Sequence, residues 1–205
     1  DALAVLQSRG AKLLAVEIAA KDKVCPMEKR DCRPEVCPYA KGFYDRLPDA
    51  LAEALTGGDW GRGQLDALAQ KHTLCPFELA LSLAQEADVV VCDVPCSGLG
   101  IIRKKPDIRY KDMASLAGLP AIQSAILDNA SRYVRRGGTL VYSTCTVLPE
   151  ENERVTDAFL RAHLDFTYDT FALPGPIGTV EGHITLWPQR HGTDGFYICR
   201  MTRKE

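Results

Sequence analysis

Eight cysteines are the residues of this 205-residue chain that offer the most chemistry. They form two groups in different sequence contexts. The first group is Cys25, Cys32, Cys37 and Cys75, and the second is Cys92, Cys96, Cys145 and Cys199. The chain lacks the short, cysteine-dense pattern of a secreted disulfide scaffold, so these thiols are expected to bind metal, act as nucleophiles or fill a core.

The first group has the spacing C-x6-C-x4-C-x37-C, and proline follows three of its four cysteines. Four thiolates ligate either zinc or an iron–sulfur cluster. Structural zinc sites usually show two close cysteine pairs, so the wider spacing favours a cluster and leaves zinc, or no metal, as alternatives. Lys41, Arg46 and Lys71 are candidate phosphate contacts, for which solvated surface charges are the favoured interpretation. His72 is a candidate substitute metal ligand, but four cysteines already suffice, so an ordinary surface histidine is favoured.

The segment KDKVCPMEKRDCRPEVCPYAKGFYDRLPDAL, followed by KHTLCPFELALSLAQEADVVVCD, resembles the iron–sulfur domain of DinG/XPD-like superfamily 2 DNA helicases over about residues 8–93. The resemblance implies that Cys25, Cys32, Cys37 and Cys75 hold a four-iron four-sulfur cluster and that DNA is a partner. The chain contains no phosphate-binding G-x-x-x-x-G-K-[ST] loop and no D-E-A-H box. We therefore expect neither ATPase nor helicase activity.

Two cysteines of the second group each follow an apolar segment typical of a buried parallel strand. The sequence DVPCS, which contains Cys96, follows the predicted strand Val89–Cys92, and STCT, which contains Cys145, follows Thr139–Ser143. Because α/β enzymes place reacting groups at the carboxyl ends of strands, the pair predicts covalent catalysis or a redox couple. The alternative is that both are small core residues.

The segments DVPCSGLGIIRKKPDIRY, LPAIQSAILDNASRYVRRGGTLVYSTCTVLPEENERV and HGTDGFYICRM resemble the catalytic end of RsmB/Sun-type ribosomal RNA cytosine carbon-5 methyltransferases, over about residues 87–204. The resemblance implies that the Cys145 thiolate attacks carbon 6 of cytosine and that S-adenosylmethionine donates the methyl group. It also implies that Cys96 assists release and that Asp93 contacts the flipped base. Carbon 5 becomes nucleophilic only once such an adduct breaks aromaticity, and the base must first leave its stack.

The cofactor motif of that family, a glycine loop of the type D-x-C-A-A-P-G-G-K, is absent, so we expect impaired binding of S-adenosylmethionine. A basic run follows the Cys96 loop and is expected to contact RNA phosphates rather than remain a solvated face. Its members are Arg103, Lys104, Lys105, Arg109 and Lys111. The segment Pro149–Asn152 is expected to shape the Cys145 loop and to cap the next helix, and His191 to orient its own loop.

These residues must be positioned by an α/β fold. We expect the C-terminal half of a Rossmann-like methyltransferase sheet in residues 89–205, preceded by an irregular, mostly helical, cysteine-ligated iron–sulfur module in residues 1–88. Cys92 and Cys199 lie inside strands and are expected to pack in the core. The predicted helices are Asp49–Leu55, Gln64–Gln70, Pro76–Ala84, Ala121–Tyr133 and Glu151–His163, and the further strands are Leu13–Ile18, Ile184–Leu186 and Phe196–Met201.

Composition narrows the function. The formal net charge is -2, and no apolar run approaches the roughly 18 residues that span a bilayer, which argues against a membrane protein and against a purely electrostatic nucleic-acid binder. Without a recognisable signal peptide, the expectation is a cytoplasmic protein with ribosomal RNA as its partner. Three functions stay open: an impaired RNA methyltransferase, a nucleic-acid-binding iron–sulfur module, and an inactive composite of two gene fragments, whether a natural fusion or a chimera.

Overall fold

The computed structural model describes Val16, Ile18, residues 21–56 and residues 60–205. The chain divides into two units between Ala87 and Asp88. Most of the predicted strand Leu13–Ile18 lies outside the described residues, and only an isolated parallel bridge between Val16 and Trp60 is seen there.

Unit 1 is helical in its described part. Its helices are α1 (Lys21–Val24), α2 (Phe43–Thr56), α3 (Arg62–Lys71) and α4 (Pro76–Ala84). Apolar side chains from α2, α3 and α4 form its core, in which Ala50, Ala69 and Leu79 are fully buried. Helix α4 has the predicted bounds, because Pro76 fits the first helical turn, where its missing N–H group costs nothing.

Helix α2 begins six residues before the predicted start at Asp49 and contains Pro48. Proline usually interrupts a helix, and the predicted helix accordingly starts after Pro48. Pro48 is the sixth residue of the helix, so its ring removes only the backbone bond to Tyr44 near the N-terminal end. Helix α2 tolerates the missing hydrogen bond because it buries Phe43 and Ala50 in the core of unit 1.

Unit 2 is built on one five-stranded mixed sheet. The strands of the unit are β1 (Val89–Asp93), β2 (Thr139–Thr144), β3 (Phe166–Tyr168), β4 (Thr170–Leu173), β5 (Gly178–Glu181), β6 (His183–Leu186) and β7 (Phe196–Arg203). The sheet order is β1-β2-β7-β3, β6 also pairs with β7, and β4 and β5 form a separate hairpin. Its helices are α5 (Met113–Leu116), α6 (Leu119–Ser131), α7 (Glu153–Ala162) and α8 (Pro188–His191).

The pairing of β1 with β2 is what positions the site. The two strands are parallel, with Val89 opposite Thr139 and Asp93 opposite Ser143, so their carboxyl ends lie side by side. This confirms the predicted pair of neighbouring parallel strands. Between them and helix α6 lies a core that includes Leu127 and Leu140, both fully buried.

The later strands confirm one expectation and correct another. Strands β6 and β7 pair antiparallel, as predicted. The sequence predicted about four strands in this unit, whereas β3 and the hairpin β4–β5 were missed. Strand β3 has only three residues, and the hairpin turn contains Pro174 and Pro176, a composition that favours loops over strands.

In the described residues, no helix combines the length and apolar character required to cross a membrane.

Candidate active site

Two thiols meet at the carboxyl edge of the sheet. Cys96 lies three residues beyond the end of β1, and Cys145 directly follows the end of β2. Their Sγ atoms are 3.0 Å apart, which is hydrogen-bond distance for a thiol pair. Both side chains are partly buried and neither forms a disulfide, so they are protected from bulk water and still reachable.

Burial dominates the environment of the Cys96 thiol. Together with the hydrogen bond to Cys145, it raises the pKa of Cys96 to about 12. Cys96 therefore keeps its proton at neutral pH. Either sulfur can be the donor in the Sγ–Sγ bond.

Backbone contacts with Gly100 hold the Cys145 loop in place. The Gly100 N–H donates to the Cys145 carbonyl at 3.0 Å, and the Gly195 N–H donates to the Gly100 carbonyl at 2.8 Å. A Cβ atom on Gly100 would overlap the Gly195 carbonyl oxygen and would lie 2.9 Å from the Cys145 carbonyl oxygen. Three separate loops therefore meet at a point where only glycine fits.

A buried polar network lies behind the two thiols. Its members are Ser97, Gln123, Thr146, Glu151 and Asn152, each at most 2% exposed. Asn152 precedes helix α7 but makes no side-chain capping bond, so the expected cap is wrong. Its side chain instead binds the Cys145 loop, as expected of the segment Pro149–Asn152. Gln123 carried no sequence signal because it looks like an ordinary helix residue.

The basic run is only partly available to a ligand. Arg103 and Lys104 pair with the buried carboxylate of Asp194, at 3.1 and 2.5 Å. These two cations, Lys104 foremost, hold the pKa of Asp194 below its usual value. Sequence reasoning missed Asp194 because it lies about 90 residues from its partners.

The remaining members of the run differ in their contacts. Lys111 donates from Nζ to the Ser97 carbonyl at 3.0 Å, next to the Cys96 loop. Arg109 donates to the Pro106 carbonyl, and Lys105 is exposed. Asp93 is also exposed at the end of β1, where its Oδ1 accepts a long bond of 3.4 Å from the Ser143 hydroxyl.

His191, Cys92 and Cys199 lie as the sequence predicts. His191 accepts the Trp187 backbone N–H on Nδ1 at 2.8 Å, which orients its loop as predicted. Cys92 and Cys199 are buried in the core of unit 2, also as predicted. Burial raises the pKa of each of these two thiols to about 12.

The four cysteines of the first group line one cavity in unit 1 without converging on a metal-binding arrangement. Cys25, Cys32, Cys37 and Cys75 all line one cavity of about 280 Å³, and none of them is in a disulfide. Within the part of the chain that the structure describes, no group of three or more His, Cys, Asp or Glu side chains is arranged to hold a metal ion.

Charge and hydrogen-bond donors accompany that cavity. Burial raises the pKa of the Cys75 thiol, although the backbone N–H groups of Phe77 and Glu78, at the start of α4, oppose the shift. Lys21 also lines the cavity, donates to Glu78 at 2.6 Å and lies over the Phe77 ring. The hydrogen bond to Glu78 raises the pKa of Lys21, which therefore stays cationic beside the thiols.

The proposed phosphate contacts of unit 1 have local partners. Arg46 donates to the carbonyls of His72 and Thr73, at 3.0 and 2.8 Å, and so holds the turn before Cys75. Lys71 and His72 both bind the Glu53 carboxylate, which accounts for His72 without a metal. Lys41 is exposed.

Comparison with known proteins adds an independent line of information. The family described as 16S rRNA methyltransferase RsmB/F matches residues 70–202. Ribosomal RNA small subunit methyltransferase B of Erwinia tasmaniensis is 40% identical over 122 residues, which are 57% of this chain and 26% of that protein. Ribosomal RNA small subunit methyltransferase F of Aeromonas salmonicida is 34% identical over 127 residues, which are 59% of this chain and 27% of that protein.

A solved structure agrees with these sequence relatives. The crystal structure of PH0851 superposes with a TM-score of 0.52 at 30% identity, covering 69% of this chain and 34% of that one. The chain thus spans about a quarter of the length of the two curated relatives.

Proposed function

This chain belongs to the 16S rRNA methyltransferase RsmB/F family, and we propose that unit 2 carries the cytosine-activating chemistry of a ribosomal RNA cytosine carbon-5 methyltransferase. The observation that carries the proposal is the 3.0 Å approach of Cys96 and Cys145 at the carboxyl ends of adjacent parallel strands. Burial keeps the Cys96 thiol protonated at neutral pH. A protonated thiol beside the proposed nucleophile suits a group that assists release.

In the proposed reaction, the Cys145 thiolate forms a bond to carbon 6 of an unstacked cytosine. The electron pair of the double bond between carbon 5 and carbon 6 moves onto carbon 5, which becomes nucleophilic. Once carbon 5 has reacted, its hydrogen leaves as a proton, the double bond re-forms and the bond from sulfur to carbon 6 breaks. Cys96 assists this release, and Asp93, exposed at the same edge, contacts the base.

RNA binding is proposed for the basic residues that follow the Cys96 loop. Lys105 is exposed and supplies phosphate contacts. Arg103 and Lys104 lie largely in solvent although they pair with Asp194, so they hold their loop and still present positive charge. Lys111 and Arg109 are anchored to carbonyls of the same loop region.

S-adenosylmethionine supplies the methyl group in the reaction that the family resemblance implies. The described residues after β1 contain no glycine loop of the type D-x-C-A-A-P-G-G-K. We propose that cofactor binding is impaired in this chain. The steps proposed for unit 2 are the addition of Cys145 to cytosine and its release.

The test uses RNA in which cytosine is replaced by 5-azacytosine, because attack on carbon 6 of this base leaves a stable adduct without a methyl donor. The wild-type chain and Cys96→Ala are expected to give a covalent protein–RNA band under denaturing conditions. Cys145→Ala is expected to give none. Absence of a band from the wild type, or its persistence in Cys145→Ala, contradicts the proposal.

Unit 1 supports a second candidate function, a four-iron four-sulfur module. The observation that favours it is the single cavity shared by all four predicted ligands. Lys21 beside the cavity would offset the charge of the thiolates, and the first amides of α4 would donate to the sulfur of Cys75. A cluster held there has DNA as its predicted partner through the helicase resemblance.

Anaerobic purification tests this second candidate. About four iron and four sulfide per chain, with absorbance near 400 nm, are expected of a cysteine-ligated cluster. Cys32→Ala is expected to lose both, whereas the matched control Cys145→Ala retains them. Stoichiometric zinc, or a colourless protein without iron, contradicts the cluster.

A further inference from the structure

Glu151 is a buried carboxylate beside the thiol pair. It is 2% exposed. Its Oε2 accepts the Ser97 backbone N–H at 2.9 Å and the Gln123 side-chain amide at 2.8 Å. The same amide donates to the Pro95 carbonyl at 3.0 Å. Glu151 thus holds the residues on both sides of Cys96.

Its neighbour Asn152 has the same relation to the other thiol. Oδ1 of Asn152 accepts the Thr144 hydroxyl at 2.6 Å, and Nδ2 donates to the Thr146 carbonyl at 3.1 Å. Thr144 and Thr146 are the residues on both sides of Cys145. Two consecutive side chains therefore hold two different cysteines.

We propose that Glu151 and Asn152 are positioning residues for different steps: Asn152 sets Cys145 for attack on carbon 6, and Glu151 sets Cys96 for release. The inference rests on the function proposed above. It assigns attack and release, the two steps of that function, to two neighbouring residues. Neither residue exchanges a proton with the base.

The two steps can be measured separately without a methyl donor. Trapping by 5-azacytosine RNA reports the attack alone. Loss of tritium from carbon 5 of cytosine in RNA reports attack followed by release. In that exchange carbon 5 first takes a proton from water after sulfur adds to carbon 6. The original hydrogen then leaves to water as a proton, the double bond re-forms and the thiolate departs.

Glu151→Ala is expected to behave as Cys96→Ala does: trapping stays within twofold of wild type, and tritium exchange falls at least tenfold. Asn152→Ala is expected to behave as Cys145→Ala does, with trapping reduced at least tenfold. Glu151→Gln keeps an acceptor oxygen for Ser97 and Gln123, so exchange is expected to return to within threefold of wild type.

Equal loss of trapping and exchange in Glu151→Ala overturns the division, because it would show a common structural role. An exchange rate in Glu151→Gln as low as in Glu151→Ala overturns the positioning role, because the charge itself would then be needed. A wild type inactive in both assays contradicts the proposed function instead.

A measurement without RNA tests the positioning itself. Alkylation by iodoacetamide, followed peptide by peptide, is expected to become at least fivefold faster at Cys96 in Glu151→Ala, with Cys145 within twofold of wild type. Asn152→Ala is expected to show the reverse. Parallel changes at both cysteines, or no change in either variant, overturn the inference whatever the RNA assays show.

Discussion

Replacing Gly100 by alanine tests the meeting of the three loops at the candidate active site. The added Cβ would lie 2.6 Å from the Gly195 carbonyl carbon and 2.9 Å from the Cys145 carbonyl oxygen. All of these are backbone atoms, which cannot rotate away. The strands and loops must therefore separate, and the two hydrogen bonds made by the Gly100 backbone are expected to break.

These contacts set the expected loss in the free energy of unfolding. Each backbone hydrogen bond contributes about 1 kcal/mol net, and overpacking costs about 1–3 kcal/mol. Gly100→Ala is therefore expected to lower the free energy of unfolding of unit 2 by about 3–5 kcal/mol. Since the Cys145 carbonyl is one of the partners, trapping of 5-azacytosine RNA should fall as well, even where unit 2 remains folded.

The measurement is urea unfolding in a Trp60→Phe background, where Trp187 reports unit 2. Gly118→Ala is the matched control, because no atom lies within 4 Å of its added Cβ. At the start of helix α6 that change should cost about 0.5 kcal/mol or less. If Gly100→Ala unfolds within 0.5 kcal/mol of this control and traps RNA at the wild-type rate, the reasoning about the loop junction is refuted.

Two further predictions concern the core of unit 2. Burial raises the pKa of Cys92 and Cys199 from 9.0 to about 12, so above pH 9 these two thiols lose protons in the unfolded state first. Stability is therefore fully present below pH 9 and falls between pH 9 and 12, by up to about 1.4 kcal/mol per pH unit for each thiol. Urea unfolding from pH 8 to 11 checks this, and a flat profile contradicts it. Leu127→Ala should lower the free energy of unfolding by about 2–5 kcal/mol, because Leu127 is fully buried against the sheet. Ile122→Ala on the same helix, where the side chain is 50% exposed, should cost less than about 1 kcal/mol in the same measurement.

The sequence was sufficient to predict the meeting of Cys96 with Cys145. Two short apolar segments, each followed by a cysteine, become adjacent parallel strands, and the alignment of their carboxyl ends brings the thiols together. Local signals of this kind also gave helix α4. Here the pattern of a few consecutive residues determines the structure.

The supporting contacts could not be predicted in the same way. Glu151 and Ser97 lie 54 positions apart, and nothing in either segment signals the other. The pairing of Asp194 with Arg103 likewise depends on how loops pack after the sheet has formed. Pro48 inside a helix shows the converse, a strong local signal overridden by tertiary burial.

Peptide mapping of the adduct formed with 5-azacytosine RNA tests the central claim most directly. After digestion of the wild-type adduct, the modified peptide is expected to contain Cys145, with Cys96 recovered as a free thiol. An adduct on Cys96, on any cysteine of unit 1, or on no cysteine at all would contradict the account.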